Sequence, residues 1–158
     1  MSEIRLTPEQ ALQKIKHYCA YQERCHSEVK EKLYGYGLHK TEVERIIGIV
    51  IEEGYLNEER FAVQFAGGRF RLKKWGKVKI RYALRQKNVS EYCIKKGLNA
   101  IDEDDYLNTL SQLFTQKLKE LKGQKNQFIR KRKIQDYLVQ KGYESDLIYS
   151  LLRKQSNE

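Results

Sequence analysis

One short pattern, written three times, restricts this chain more than any other feature of its sequence. Leu33, Leu84 and Leu138 are each preceded four positions earlier by a β-branched residue, Val29, Ile80 or Ile134, and followed four positions later by Gly37, Asn88 or Gly142. Glycine and asparagine tolerate the left-handed backbone that ends a helix, so the match has a conformational cause. Val43, Ile94 and Ile148 follow, then Ile47, Leu98 and Leu152, at the four-residue spacing of a buried helical stripe. Upstream, each copy opens on an apolar residue, a cap and acids: Leu6-Thr7-Pro8-Glu9, Leu56-Asn57-Glu58-Glu59 and Ile101-Asp102-Glu103-Asp104. Core positions come next at Ala11/Ile15, Phe61/Phe65 and Tyr106/Leu110.

The pattern predicts an all-α protein of three tandem three-helix repeats, spanning 7–56, 57–101 and 102–155. A unit of about 50 residues is marginal alone, so neighbouring repeats are expected to stack into an elongated, curved body. The third copy is stretched. From Phe61 to Ile80 is 19 positions, whereas Tyr106 to Ile134 is 28, which leaves room for a longer first helix or a longer loop around Gly123.

Charge does not follow the repeat. Between Arg69 and Lys96 lie eleven basic residues and a single acid, Glu91, so this window alone carries the chain's net charge of +10. A second basic window, Lys117 to Lys133, includes Arg130, Lys131 and Arg132 and is offset by acidic segments elsewhere. Lys77, Arg81 and Arg85 recur every four residues, a stripe about 12 Å long on one helix. The aligned positions are His26, Lys30 and Tyr34 in the first repeat and Lys131, Gln135 and Val139 in the third. The core recurs and the stripe does not, so the stripe is an addition to the fold that points to a polyanionic partner or an acidic protein surface. Trp75 sits at the expected junction of two helices, where it either packs across the joint or faces a partner. Most tyrosines, Tyr55 and Tyr82 among them, fall at apolar positions and read as core edges.

Other functions find little support. No apolar run approaches the roughly 20 residues of a membrane span. The opening MSEIRLTPEQ lacks the layout of a signal peptide, so a cytoplasmic location is expected. Three cysteines point to free thiols, with Cys19 in the core and Cys25-His26 near a helix start; with His17 they match no zinc spacing. The three histidines have no consistent acid or serine neighbour, and Gly67-Gly68 lies inside a helical pattern rather than in a phosphate loop. Neither enzyme activity nor a cofactor is expected.

The run GYLNEERFAVQFAGGRFRLKKWGKVKIRYALRQKNV, Gly54 to Val89, resembles the central signature of the bacterial RecX regulatory proteins, and RCHSEVKEKLYGYG, Arg24 to Gly37, is similar to their earlier Ser-x-x-Glu/Val-x-x-Lys-Leu segment. Asn88, where glycine is usual, and Gly67-Gly68, where bulkier residues are usual, depart from that pattern. The resemblance implies a regulator that binds RecA filaments on single-stranded DNA, lies in their helical groove, and suppresses ATP hydrolysis, strand exchange and coprotease activity. Such a protein would bind without sequence preference and act as a monomer. Carried onto matching positions, it implies contacts from Arg69, Arg71, Lys73, Lys74, Lys77, Lys79, Arg81 and Arg85, with Lys87, Arg130, Lys131 and Arg132 as further cations. The alternative is a helical DNA-binding protein without a RecA role.

Overall fold

A computed structural model describes residues 5–156. Among these residues the chain forms nine α-helices and no strand: α1 Pro8–Tyr21, α2 His26–Gly35, α3 Lys40–Glu52, α4 Glu58–Lys73, α5 Lys77–Gln86, α6 Glu91–Asn99, α7 Glu103–Glu120, α8 Gln127–Lys141 and α9 Ser145–Ser156. Three helices fall in each repeat, and the cap residues explain where each triplet starts. The Thr7 hydroxyl accepts the Gln10 amide at 3.2 Å while the Gln10 side chain accepts the Thr7 amide at 3.0 Å, a reciprocal pair that opens α1. Asn57 accepts the Arg60 amide at 2.9 Å, and Asp102 the Asp105 amide at 3.0 Å.

The second helix of each triplet ends as its sequence requires. Gly37, Asn88 and Gly142 have φ of 88°, 60° and 100°, all in the left-handed region. Asparagine at the middle position does what glycine does at the other two, so this departure from the family pattern leaves the turn unchanged.

Leu33, Leu84 and Leu138 are each 0% exposed, and Val29, Ile80, Ile134, Val43, Ile94 and Ile148 are buried with them. Ile47 and Phe65 are only half-buried. Ile47 packs at the rim of the first core, and the Phe65 ring leans on Phe61 with 5.7 Å between centroids. Tyr55 lies at a core edge as its position suggests, but Tyr82 does not: it is 66% exposed on α5, because it is turned away from the face that buries Ile80 and Leu84.

Compactness divides the chain into two groups, one running to Phe65 and joined by Leu84–Gly97, the other made of Ala66–Ala83 and the chain from Leu98 onward. In the first, α1, α2 and α3 enclose Ala11, Ile15, Cys19, Leu33, Val43 and Ile46. Cys25 caps α2, its amide bonded to the Glu28 carboxylate at 3.0 Å, and all three thiols are free and buried. In the second, α7, α8 and α9 bury Tyr106, Leu110, Ile134, Leu138 and Ile148. The nine extra positions of the third repeat are spread along it. α7 runs two residues further past its aromatic anchor than α4 does, the connection is three residues longer, and α8 begins four residues earlier relative to its core isoleucine.

Leu84→Ala should cost roughly 2 to 5 kcal/mol in urea unfolding, the range for emptying a fully buried leucine site; a loss below 1 kcal/mol would place Leu84 outside the core. Burial pushes the Cys19 thiol from 9.0 up to about 11. The neutral thiol is the form the fold favours, so its contribution is whole below pH 9 and fades as pH rises towards 11. The stability of Cys19→Ala should therefore decline less steeply across that interval than that of the unaltered protein; equal slopes would refute the assignment.

Candidate nucleic-acid interface

The densest part of the basic window, Arg69 to Arg81, centres on the connection between α4 and α5, made of Lys74, Trp75 and Gly76. Lys74 takes φ 57°, and its amide returns to the Phe70 carbonyl at 2.9 Å, closing the last turn of α4. α5 then starts without a side-chain cap and with lysines in its first turn, against the sense of its own dipole. Its uncommitted amides are satisfied from elsewhere in the same group. Gly76 N donates to Lys141 O at 2.8 Å and Val78 N to Gly142 O at 2.9 Å, both carbonyls at the finish of α8. Lys77 N donates to the Tyr106 hydroxyl at 2.8 Å.

This joint has no spare room. A Cβ on Gly76 would lie 2.3 Å from the Gly142 carbonyl, and one on Gly142 would lie 2.3 Å from the Lys79 Cβ. Tyr106, having accepted the Lys77 amide, donates its own proton to the Glu144 carboxylate. Burial first, and then that bond, push the Tyr106 hydroxyl far above its ordinary range, so it stays protonated. Its ring lies between Phe70 and Tyr143, at centroid distances of 5.7 and 5.2 Å. The Tyr143 hydroxyl donates to Lys74 O at 2.9 Å, and the Lys141 ammonium to Lys73 O at 3.3 Å.

The cations on this frame are arranged around aromatic rings. Half-buried Trp75 is surrounded by the Arg69 guanidinium at 5.6 Å, the Lys73 ammonium at 5.5 Å and the Lys79 ammonium at 4.7 Å from its ring centroid. The Lys77 ammonium lies 4.8 Å from the Tyr106 ring. Trp75 thus sits at the junction, as its position in the sequence suggests, with positive groups over its ring. Exposed cation–π contacts are worth about 0.5–1 kcal/mol each and leave the charge in place. Arg71 and Lys74 line a shallow polar cleft opposite Asp105, Asn108, Thr109 and Gln112 of α7. Among the described residues no carboxylate lies within ion-pair distance of Arg71, Lys73, Lys74, Lys77 or Lys79.

Arg85 and Lys87 are placed differently. They belong to the first group, where Arg85 pairs with Glu91 at 2.6 Å and Lys87 with Glu28 at 3.7 Å. The other ten candidate cations, Arg81 included, lie in the second group. Arg130, Lys131 and Arg132 occupy the opening turns of α8, about 15 Å along the helix from Lys141. Charge counting could not find the polar residues of α7 beside Arg71, nor the Tyr106 hydroxyl under Lys77. Their only sequence signal is amphipathic spacing, which identifies a face and not its neighbour.

Two family models match this chain: the second three-helix domain of RecX over residues 57–98 and the third three-helix domain of RecX over residues 103–152. The chain belongs to the RecX family. It is 31% identical over 131 residues to the regulatory protein RecX of Clostridium perfringens strain 13, covering 82% of this chain and 61% of that RecX. To the regulatory protein RecX of Prosthecochloris aestuarii it is 29% identical over 145 residues, covering 90% and 91%. The chain thus spans about 60% of the clostridial RecX proteins and most of the Prosthecochloris one. The crystal structure of RecX from Lactobacillus salivarius superposes with a TM-score of 0.85 at 19% identity, over 96% of this chain and 97% of that one, so the fold is the RecX fold.

Gly76→Ala should lower stability by about 2 to 4 kcal/mol through overpacking and broken amide bonds. Gly123→Ala, where an added Cβ meets nothing within 4 Å, serves as the control in the same urea titration. Equal midpoints for the two variants would contradict the tight joint.

Proposed function

We propose that this chain inhibits the RecA recombinase by binding its filament on single-stranded DNA, within the filament's helical groove. Binding there would suppress ATP hydrolysis, strand exchange and coprotease activity, and so restrain recombinational repair and the SOS response in the cytoplasm. Membership of the RecX family supports the regulatory role. The observation that carries the mechanism is the set of five cations, Arg71, Lys73, Lys74, Lys77 and Lys79, held on a glycine-tight joint without a carboxylate partner. Cations presented in this way suit phosphates, which bind without regard to sequence and release counterions as they do so. The chain acts in this reading as a monomer, through binding alone.

The double substitution Arg71→Glu with Lys73→Glu alters two exposed side chains whose backbones keep their roles. It should leave the melting temperature within about 2 °C and weaken single-strand binding at least tenfold at moderate salt. The slope of log affinity against log salt should shallow by roughly 0.7 for each phosphate that the variant no longer neutralises. Inhibition of single-strand-dependent RecA ATP hydrolysis should fall in step. Tight DNA binding with no effect on RecA, at protein levels well below those that coat free DNA, would favour the alternative of a DNA-binding protein without a RecA role.

A further inference from the structure

The four residues by which α8 starts early, Gln127 to Arg130, have no counterpart in the middle repeat, and the first three of them are exposed. They carry Phe128, which is 76% exposed, the largest exposure of any phenylalanine in the described chain. Asn126 caps the helix at this point by accepting the Phe128 and Ile129 amides at 3.0 and 3.2 Å, so the ring is held out on a formed helix rather than on a loop. Beside it, α8 and α9 leave an open groove of about 610 Å³. Leu152 lies at its base, Tyr149 and Phe128 supply aromatic faces, and Lys131, Arg132 and Arg153 supply positive charge. The Tyr149 hydroxyl is steadied by the Gln135 amide at 3.1 Å. No carboxylate is among the lining residues. Arg132 does reach Asp136 outside the groove at 3.7 Å, but both side chains are about two-thirds exposed, and such a pair yields readily to another anion.

We propose that this groove is a second single-strand contact, in which a base stacks on Phe128 or Tyr149 while flanking phosphates meet Lys131, Arg132 and Arg153. Aromatic faces interleaved with cations, in a groove whose lining holds no carboxylate, match a strand that offers a flat base and a charge at every step, whatever its sequence. Duplex DNA would present phosphates but no accessible base face. This inference deepens the proposed function and rests on its single-strand part.

The test uses the full chain with fluorescent oligothymidine and with an abasic oligodeoxynucleotide carrying the same number of phosphates. Phe128→Ala, at an exposed position, should retain the circular dichroism spectrum, weaken oligothymidine binding about fivefold or more, and leave abasic binding unchanged. Arg153→Glu should weaken both, and bromodeoxyuridine strands should cross-link to Phe128 or Tyr149. Unaltered oligothymidine binding by Phe128→Ala, alongside a loss in the Arg71→Glu and Lys73→Glu protein, would overturn the groove while leaving the proposed function in place. If Phe128→Ala keeps oligothymidine binding but loses RecA inhibition, the groove holds a protein surface and the inference is equally overturned. Failure of every form to bind single strands would remove both readings.

Discussion

The site depends on one meeting of helix ends. α5 begins with amides that nothing in its own sequence caps, and α8 finishes with carbonyls that its own helix cannot use. Bringing Gly76 and Val78 to Lys141 and Gly142 satisfies both sets at once and aligns a positive dipole end with a negative one. The approach is close enough that only glycine fits on either side. Tyr106 completes it by bridging the Lys77 amide to Glu144. Lysines in the first turn of α5 would ordinarily weaken that helix start, and this end-to-end contact offsets the penalty.

Such a frame can carry charge that has not been cancelled. Ion pairs would have tied these side chains down, as Glu91 and Glu28 do for Arg85 and Lys87. Aromatic rings do less: they place the Lys73 and Lys79 ammonium groups beside Trp75 and that of Lys77 beside Tyr106 without cancelling their charge. Repulsion among like charges is the standing cost, a few tenths of a kcal/mol for each neighbouring pair, small beside the buried apolar surface that sets stability.

What is legible in the sequence is whatever a few neighbouring residues decide together. Thr7, Asn57 and Asp102 cap helices because a cap needs only its next three residues, and Gly37, Asn88 and Gly142 turn left-handed for an equally local reason. The central leucines are buried because period and position agree. Tyr82 departs from its expected place because a tyrosine at an apolar-looking spacing can sit just beyond the buried arc, and one step around the helix separates packed from exposed. The uneven pairing along the basic stripe is hidden for another reason: Arg85 meets Glu91 only after the chain turns at Asn88. The joint of Gly76 with Gly142 joins residues 66 positions apart, and nothing near either glycine announces the other.

The Tyr106–Glu144 link has a consequence for how the chain could be shortened. Every cation of the middle repeat lies before Ile101, so a fragment ending there would keep the charge that suggests a function. It would lack the hydroxyl and the carbonyls that receive the first amides of α5, and its lysines would stand on a frayed helix start. The third repeat is in this sense the jig on which the start of α5 is set, and a fragment's affinity would report its charge without reporting its aim.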